Sequence, residues 1–192
     1  MTRGKFVAAV LAAQLFVPAM ARCANEPNEL GDRIVAFCKE HQGKRVGNGQ
    51  CTSMVTAALL AAGAKPHGWG DRRTPPRRGE FNWGKLVFTV ERDGTDFKTT
   101  GKFQEIRPGD VLQFRNVQLE GFTEFGTYTT HAQHHSAIIY GVDKDEGILK
   151  IYQQNYNGRK GVTSDRIRLA DLQTGRLSFY RPLPATTRPR ED

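Results

Sequence analysis

The chain has 192 residues, 38% of them hydrophobic and 25% charged, which is enough apolar material for one domain with a buried core and too much for a disordered chain. The formal net charge of +8 points to an anionic partner surface without naming it. No internal stretch approaches the roughly 20 apolar residues of a membrane-spanning helix.

Residues 1–24 read as a secretory signal peptide. Arg3 and Lys5 give a positive start, Phe6 to Met20 is an apolar run interrupted only by Gln14, and Ala19-Met20-Ala21 has the small-residue pattern of a cleavage site. A buried N-terminal helix is the alternative. A lipid anchor at Cys23 is disfavoured by Arg22, which is neither small nor neutral. Cleavage after Ala21 would remove Arg3 and Lys5 and lower the charge to +6, giving a secreted or periplasmic protein with no membrane segment left. Residues 25–184 then form a single domain, and 185–192 a polar, disordered tail.

In chain order, Asn25 to Asn28 with Pro27 predict a helix start, and Leu30, Ile34, Phe37 and Cys38 fall on one face of the helix that follows. Cys38 reads as a small core residue, with a Cys23–Cys38 disulfide as the alternative that export would permit. Gly43 to Gly49 is a turn. Cys51 to Ala62 predicts a second helix, ended by Gly63 and apolar nearly all round, so that it is buried. Residues 65–105 are irregular, with Leu86 to Val90 as a strand. Arg72, Arg73, Arg77 and Arg78 form either a solvated charged loop or a rim for an anionic substrate.

After the turn Arg107-Pro108-Gly109-Asp110, Val111 to Phe114 predict a strand, followed by a polar loop containing Gly121 and Gly126. His135–Val142 and Gly147–Gln154 predict a hairpin around Asp143-Lys144-Asp145-Glu146. Shorter strands follow near Ile167 and at Leu177 to Tyr180. Helices first and an antiparallel sheet second make an α+β plan.

Two positions carry chemistry. Cys51 opens a helix, where unpaired N–H donors and about half a positive charge favour a thiolate. It reads equally as a small buried residue that begins a helix. His135 opens a strand. With the hairpin turn centred near Lys144, Tyr140 faces Ile148 and His135 faces Gln153, so that an amide could orient an imidazole towards a thiol. A polar pair at a sheet edge is the plainer alternative. His131 and His134 have metal-ligand spacing, but no acidic or thiol partner stands nearby, so neither metal nor cofactor is expected.

Gly49-Gln50-Cys51, Arg107 to Phe114, His135-Ser136-Ala137-Ile138-Ile139-Tyr140 and Tyr152-Gln153-Gln154-Asn155, in that order, resemble the CHAP and NlpC/P60 group of papain-like cysteine peptidases and amidases. The resemblance covers roughly Gly31 to Pro182. It implies a papain-like NlpC/P60-type fold, with N-terminal helices packed on an antiparallel sheet, and an exported cysteine hydrolase that cleaves peptide or amide bonds in bacterial peptidoglycan. In that group the roles fall to Cys51 as nucleophile, His135 as base, and Gln153 or Asn155 as orienter. Asn82-Trp83-Gly84 resembles a Trp-Gly element of CHAP domains, which makes Trp83 a substrate contact beside His134. Gln50 could donate to an oxyanion or simply shape its loop. Many CHAP members carry Glu where Gln153 stands, and an uncharged Gln stabilises an imidazolium less. A non-catalytic binding module on the same scaffold is the alternative function, and a disulfide-bonded envelope protein a further one. The expected partner is a wall peptide; nucleic acid is not expected, for want of interleaved basic and aromatic residues. A monomer is expected.

Overall fold

The structure is a computed structural model that describes residues 28–66, 81–123 and 126–185. The signal-peptide segment, Cys23, the four-arginine cluster and the tail from residue 186 lie outside the described residues.

Among the described residues two α-helices precede seven strands: α1 (Glu29–Glu40), α2 (Cys51–Ala61), β1 (Lys85–Asp93), β2 (Asp96–Gly101), β3 (Val111–Thr123), β4 (Gly126–Asp143), β5 (Ile148–Gln153), β6 (Thr163–Arg168) and β7 (Leu172–Arg181). The strands form one antiparallel sheet in the order β2-β1-β7-β3-β4-β5-β6, which places the last strand in its interior. This is the helices-then-antiparallel-sheet plan expected from the sequence.

Strand alternation gives the sheet two apolar faces. The helices cover one, where Ile34, Cys38, Met54, Val55, Ala58 and Leu59 pack on Val111, Ile138 and Tyr152. The other encloses Leu112, Phe114, Ala137, Ile139, Leu149, Ile151 and Phe179. That cluster also holds Val90 of β1 and Ile167 of β6, so the sheet curves round it.

The Pro-Gly-Asp turn docks the first helix. Asn28 Nδ2 donates to Pro108 O at 2.7 Å. Gly109 has φ +89°, and a Cβ there would come within 2.2 Å of Gly31 Cα, so both the conformation and the close approach require glycine. Asp110, buried, accepts from Arg181 Nε and Nη2, each at 3.0 Å, and ties the turn to β7.

The segment after Phe114 departs from expectation. In place of a polar loop, β3 and β4 continue as one long hairpin to residues 123 and 126. Its outward positions are polar (Gln118, Glu120, Thr129, His131) while Val117, Leu119 and Ala132 face the core. Asn116, at φ 49°, interrupts the ladder and shifts the alternation, which hides the strand from a period-two reading. β2 is also absent from the expectation, being exposed at every residue.

The β4–β5 register differs too. Asp143 pairs with Ile148, and Asp143 Oδ1 accepts from the amides of Asp145 and Glu146, so the turn is centred between Asp145 and Glu146 and not on Lys144. An irregularity between Ile139 and Gly141 then takes up one residue. The result is that Ala137, and not His135, stands opposite Gln153. The net offset is two residues, so His135 and Gln153 stay on one face as diagonal neighbours.

Candidate active site

Cys51 is placed by a clamp. Gln154, fully buried, accepts from Val46 N through Oε1 at 2.7 Å and donates through Nε2 to Val46 O at 3.0 Å and Gln50 O at 2.9 Å. It therefore holds both ends of the loop that delivers Cys51 to the first turn of α2. Gly47 and Gly49 take φ +56° and +85° inside that loop, and Asn48 Oδ1 accepts from Gln50 N at 3.0 Å. Gln50 adopts the extended conformation of a helix N-cap.

The half-buried Cys51 thiol accepts backbone hydrogen bonds from Ser136, Thr52 and its own amide. Ser136 is the residue after His135, so the sulfur rests against β4 beside the imidazole-bearing residue. The amides favour the thiolate, but burial outweighs them and leaves the thiol above its ordinary range. The helix start therefore does not deliver the lowered thiol pKa expected of it.

His135 is 5% exposed. Its ring lies between Phe114 and Tyr156, with centroids 5.4 and 5.3 Å away. Its Nε2 meets Gln153 Oε1 at 2.8 Å. An amide oxygen only accepts, so Nε2 carries the proton and Nδ1 keeps a lone pair. Burial pushes the imidazole pKa down to about 4, against the opposing pull of the Gln153 bond. Burial thus disfavours the charged form of each group, thiolate and imidazolium alike.

On β3, paired with β4, stands a further glutamine. Gln113 donates to His135 O at 2.8 Å and accepts from Ser136 Oγ at 3.0 Å and Trp83 Nε1 at 2.9 Å. It fixes the backbone of His135 and the hydroxyl of Ser136, the residue whose backbone meets the thiol.

The structure bonds His135 to Gln153 and sets the Cys51 sulfur on the backbone of Ser136, the residue after His135, and it engages the other candidates elsewhere. Asn155, half-buried and at φ 59°, donates to Gln50 Oε1 at 2.8 Å and accepts from Lys160 Nζ at 2.5 Å, with no bond to His135. It cannot be the orienter in this arrangement. Trp83 is 1% exposed, its ring packed on Phe81 and its N–H given to Gln113, so it is core and not a substrate contact. His134 is turned by strand alternation to the face opposite His135, where it meets Arg115. Gln50 adjoins Cys51, but its side-chain oxygen is engaged by Asn155. Gln154 and Gln113 are the site residues that sequence reasoning misses. Gln154 lies in the Tyr152–Asn155 run, but its partner Val46 is 108 residues away, and no local pattern announces that contact.

Among the described residues no three His, Cys, Asp or Glu side chains cluster as metal ligands, and no helix is long and apolar enough to cross a membrane. Cys38 is buried in the helix-side core with a free thiol.

The comparisons with known proteins bear on the fold. The chain is 24% identical over 173 residues to the "Altered inheritance of mitochondria protein 3" of Debaryomyces hansenii, an alignment covering 88% of this chain and 18% of that protein. The chain thus spans under a fifth of the length of that curated relative. Two solved structures, "The crystal structure of Ly7917" and the same protein "with the hydrolyzing product of MDP", each share 21% identity at a TM-score of 0.40, over 81% of this chain and 62% of theirs. The AIM3/BBC1 Cysteine proteinase-fold domain matches residues 21–190, nearly the whole chain, and the chain belongs to that family.

Proposed function

We propose that the domain is a thiol hydrolase of peptide or amide bonds. The observation that carries this reading is the Cys51 sulfur resting on the Ser136 amide, one residue from an imidazole whose Nε2–H is held by Gln153. Cys51 attacks the carbonyl carbon while Nδ1 of His135 takes the thiol proton. The tetrahedral intermediate collapses to a thioester as His135 protonates the leaving amine. Water then attacks the thioester, with His135 again as base, and the acid product leaves.

The finer part of the proposal is the substrate and the place. A wall peptide met outside the cytoplasm is supported by the order of the sequence motifs and by the basic charge, +6 once Arg3 and Lys5 are removed. The test is a substrate panel of peptide amides, peptidyl-Lys isopeptides and purified peptidoglycan, with Cys51→Ala as control. Hydrolysis in the native chain that falls at least about 1000-fold in the variant, with the fold intact, supports the reading; equal turnover by both overturns it. Activity on peptides with none on peptidoglycan removes the finer part alone.

One observation favours a second reading, a binding module on the same scaffold: the thiol sits above its ordinary range, where a nucleophile is less ionised. Capture of a panel ligand with no turnover and no acyl-enzyme mass would select it.

A further inference from the structure

The orienter of His135 is itself held. Gln153 Nε2 donates to Asp165 Oδ2 at 3.1 Å, and Asp165 Oδ1 accepts from Arg166 N at 2.8 Å. Asp165 lies on β6, where the β5–β6 register pairs it with Ile151, so it is the diagonal neighbour of Gln153 on the same face. His135, Gln153 and Asp165 thus form one line of hydrogen bonds across three adjacent strands.

An amide is nearly symmetric in shape and can present either end to a neighbour. Turned one way, Gln153 offers oxygen to His135 Nε2, which must then carry the proton. Turned the other way, it offers N–H, and Nε2 must be the bare nitrogen. The second orientation moves the proton to Nδ1 and leaves no base for a thiol on that side. The Asp165 carboxylate, an acceptor only, can satisfy just the first.

We propose that Asp165 is a positioning residue that fixes the orientation of Gln153 and, through it, the tautomer of His135. The inference deepens the hydrolase reading and rests on it for its catalytic meaning. The arrangement also accounts for an uncharged residue at position 153. A glutamate there would set two carboxylates about one hydrogen-bond length apart, and both could not ionise. Gln153 and Asp165 therefore form a complementary pair whose chemistry can be exchanged. With Gln153→Glu and Asp165→Asn made together, position 153 keeps an acceptor toward His135. The new amide at position 165 donates to the new carboxylate and still offers an acceptor to Arg166 N.

The experiment compares the native chain with Asp165→Ala, Gln153→Glu and the double variant Gln153→Glu/Asp165→Asn. The readout is the His135 tautomer by nitrogen-15 NMR of the imidazole, together with the hydrolysis rate and its pH profile. The native chain is expected to show the Nε2–H form. Asp165→Ala is expected to give a mixture of the two tautomers and a rate about tenfold lower, carried by kcat and not KM. Gln153→Glu alone is expected to lose more than that and to shift its pH profile. The double variant is expected to recover the Nε2–H form and a rate above either single variant. An unchanged tautomer in Asp165→Ala, or a double variant no better than Gln153→Glu, overturns the inference. If Asp165→Ala does not fold, the exchanged pair decides alone. The NMR readout needs no turnover, so an inactive protein with an Asp165-dependent tautomer would sink the hydrolase reading and leave the positioning role standing.

Discussion

Two cysteines sit in two parts of one helix-covered region, and they are prepared differently. Cys38, in the last turns of α1, is fully buried among apolar side chains. Burial alone pushes its thiol up to about 12. Cys51, at the first turn of α2, is also pushed up by burial, but three backbone amides pull the other way, and it keeps contact with solvent. The lesson is that the helix start does not by itself create a reactive sulfur. The amides offset only part of the cost of placing a thiolate in a partly dry site.

Thiol labelling is the sharpest way to break this comparison. With iodoacetamide at pH 8, Cys51 is expected to react at least about 100-fold faster than Cys38, which is reached only through opening of the core. Peptide mapping by mass spectrometry resolves the two, and equal rates would erase the distinction.

Acid comes next. The His135 pKa is lowered from 6.5 to about 4, so the folded state resists the proton. The corresponding stability is present above about pH 6.5 and is lost as pH falls towards about 4, by ~3 kcal/mol. Urea midpoints across that range should fall in the native chain and fall less in His135→Gln. Cys38 has the opposite sign: its raised pKa lends stability below the ordinary thiol range that is lost as pH rises towards about 12. Cys38→Ala should flatten that alkaline limb.

The clamp on the Cys51 loop gives a smaller and local effect. Gln154→Ala leaves Val46 N–H and the Gln50 carbonyl without their buried partner, at about 2 kcal/mol. Amide exchange should quicken from Val46 to Cys51 and not along α1. The smallest expected change is Cys38→Ala at neutral pH, about 1 kcal/mol from a modest cavity, with hydrolysis unaffected. A loss of hydrolysis there would mean that the two regions are not independent.

Much of this is legible in the sequence. The apolar face of α1 and the nearly all-apolar α2 announce the helix-side core, and Cys51 and His135 stand out by their places at expected element starts. The hairpin between β4 and β5 is visible, but its register is not, because an Asx turn at Asp143 and an irregularity near Tyr140 each move it. The pairing of faces survives only because those shifts combine to an even number. The long β3–β4 hairpin is hidden by its polar outward face and by Asn116. Trp83 misleads because a tryptophan beside glycine reads the same whether its ring is offered to a ligand or given to the core. Gln154 and Gln113 act across large sequence separations, and such contacts leave no local trace.

The position of β7 has a consequence for synthesis. Because the C-terminal strand lies between β1 and β3, a nascent chain that has emerged only as far as β6 holds a two-stranded ribbon and a four-stranded meander with no strand to join them. Each presents an open edge of the kind that invites pairing with other chains. Closure must wait for residues 172–181, so a ribosome stalled just short of them would release two halves of a sheet and not a slightly shortened domain.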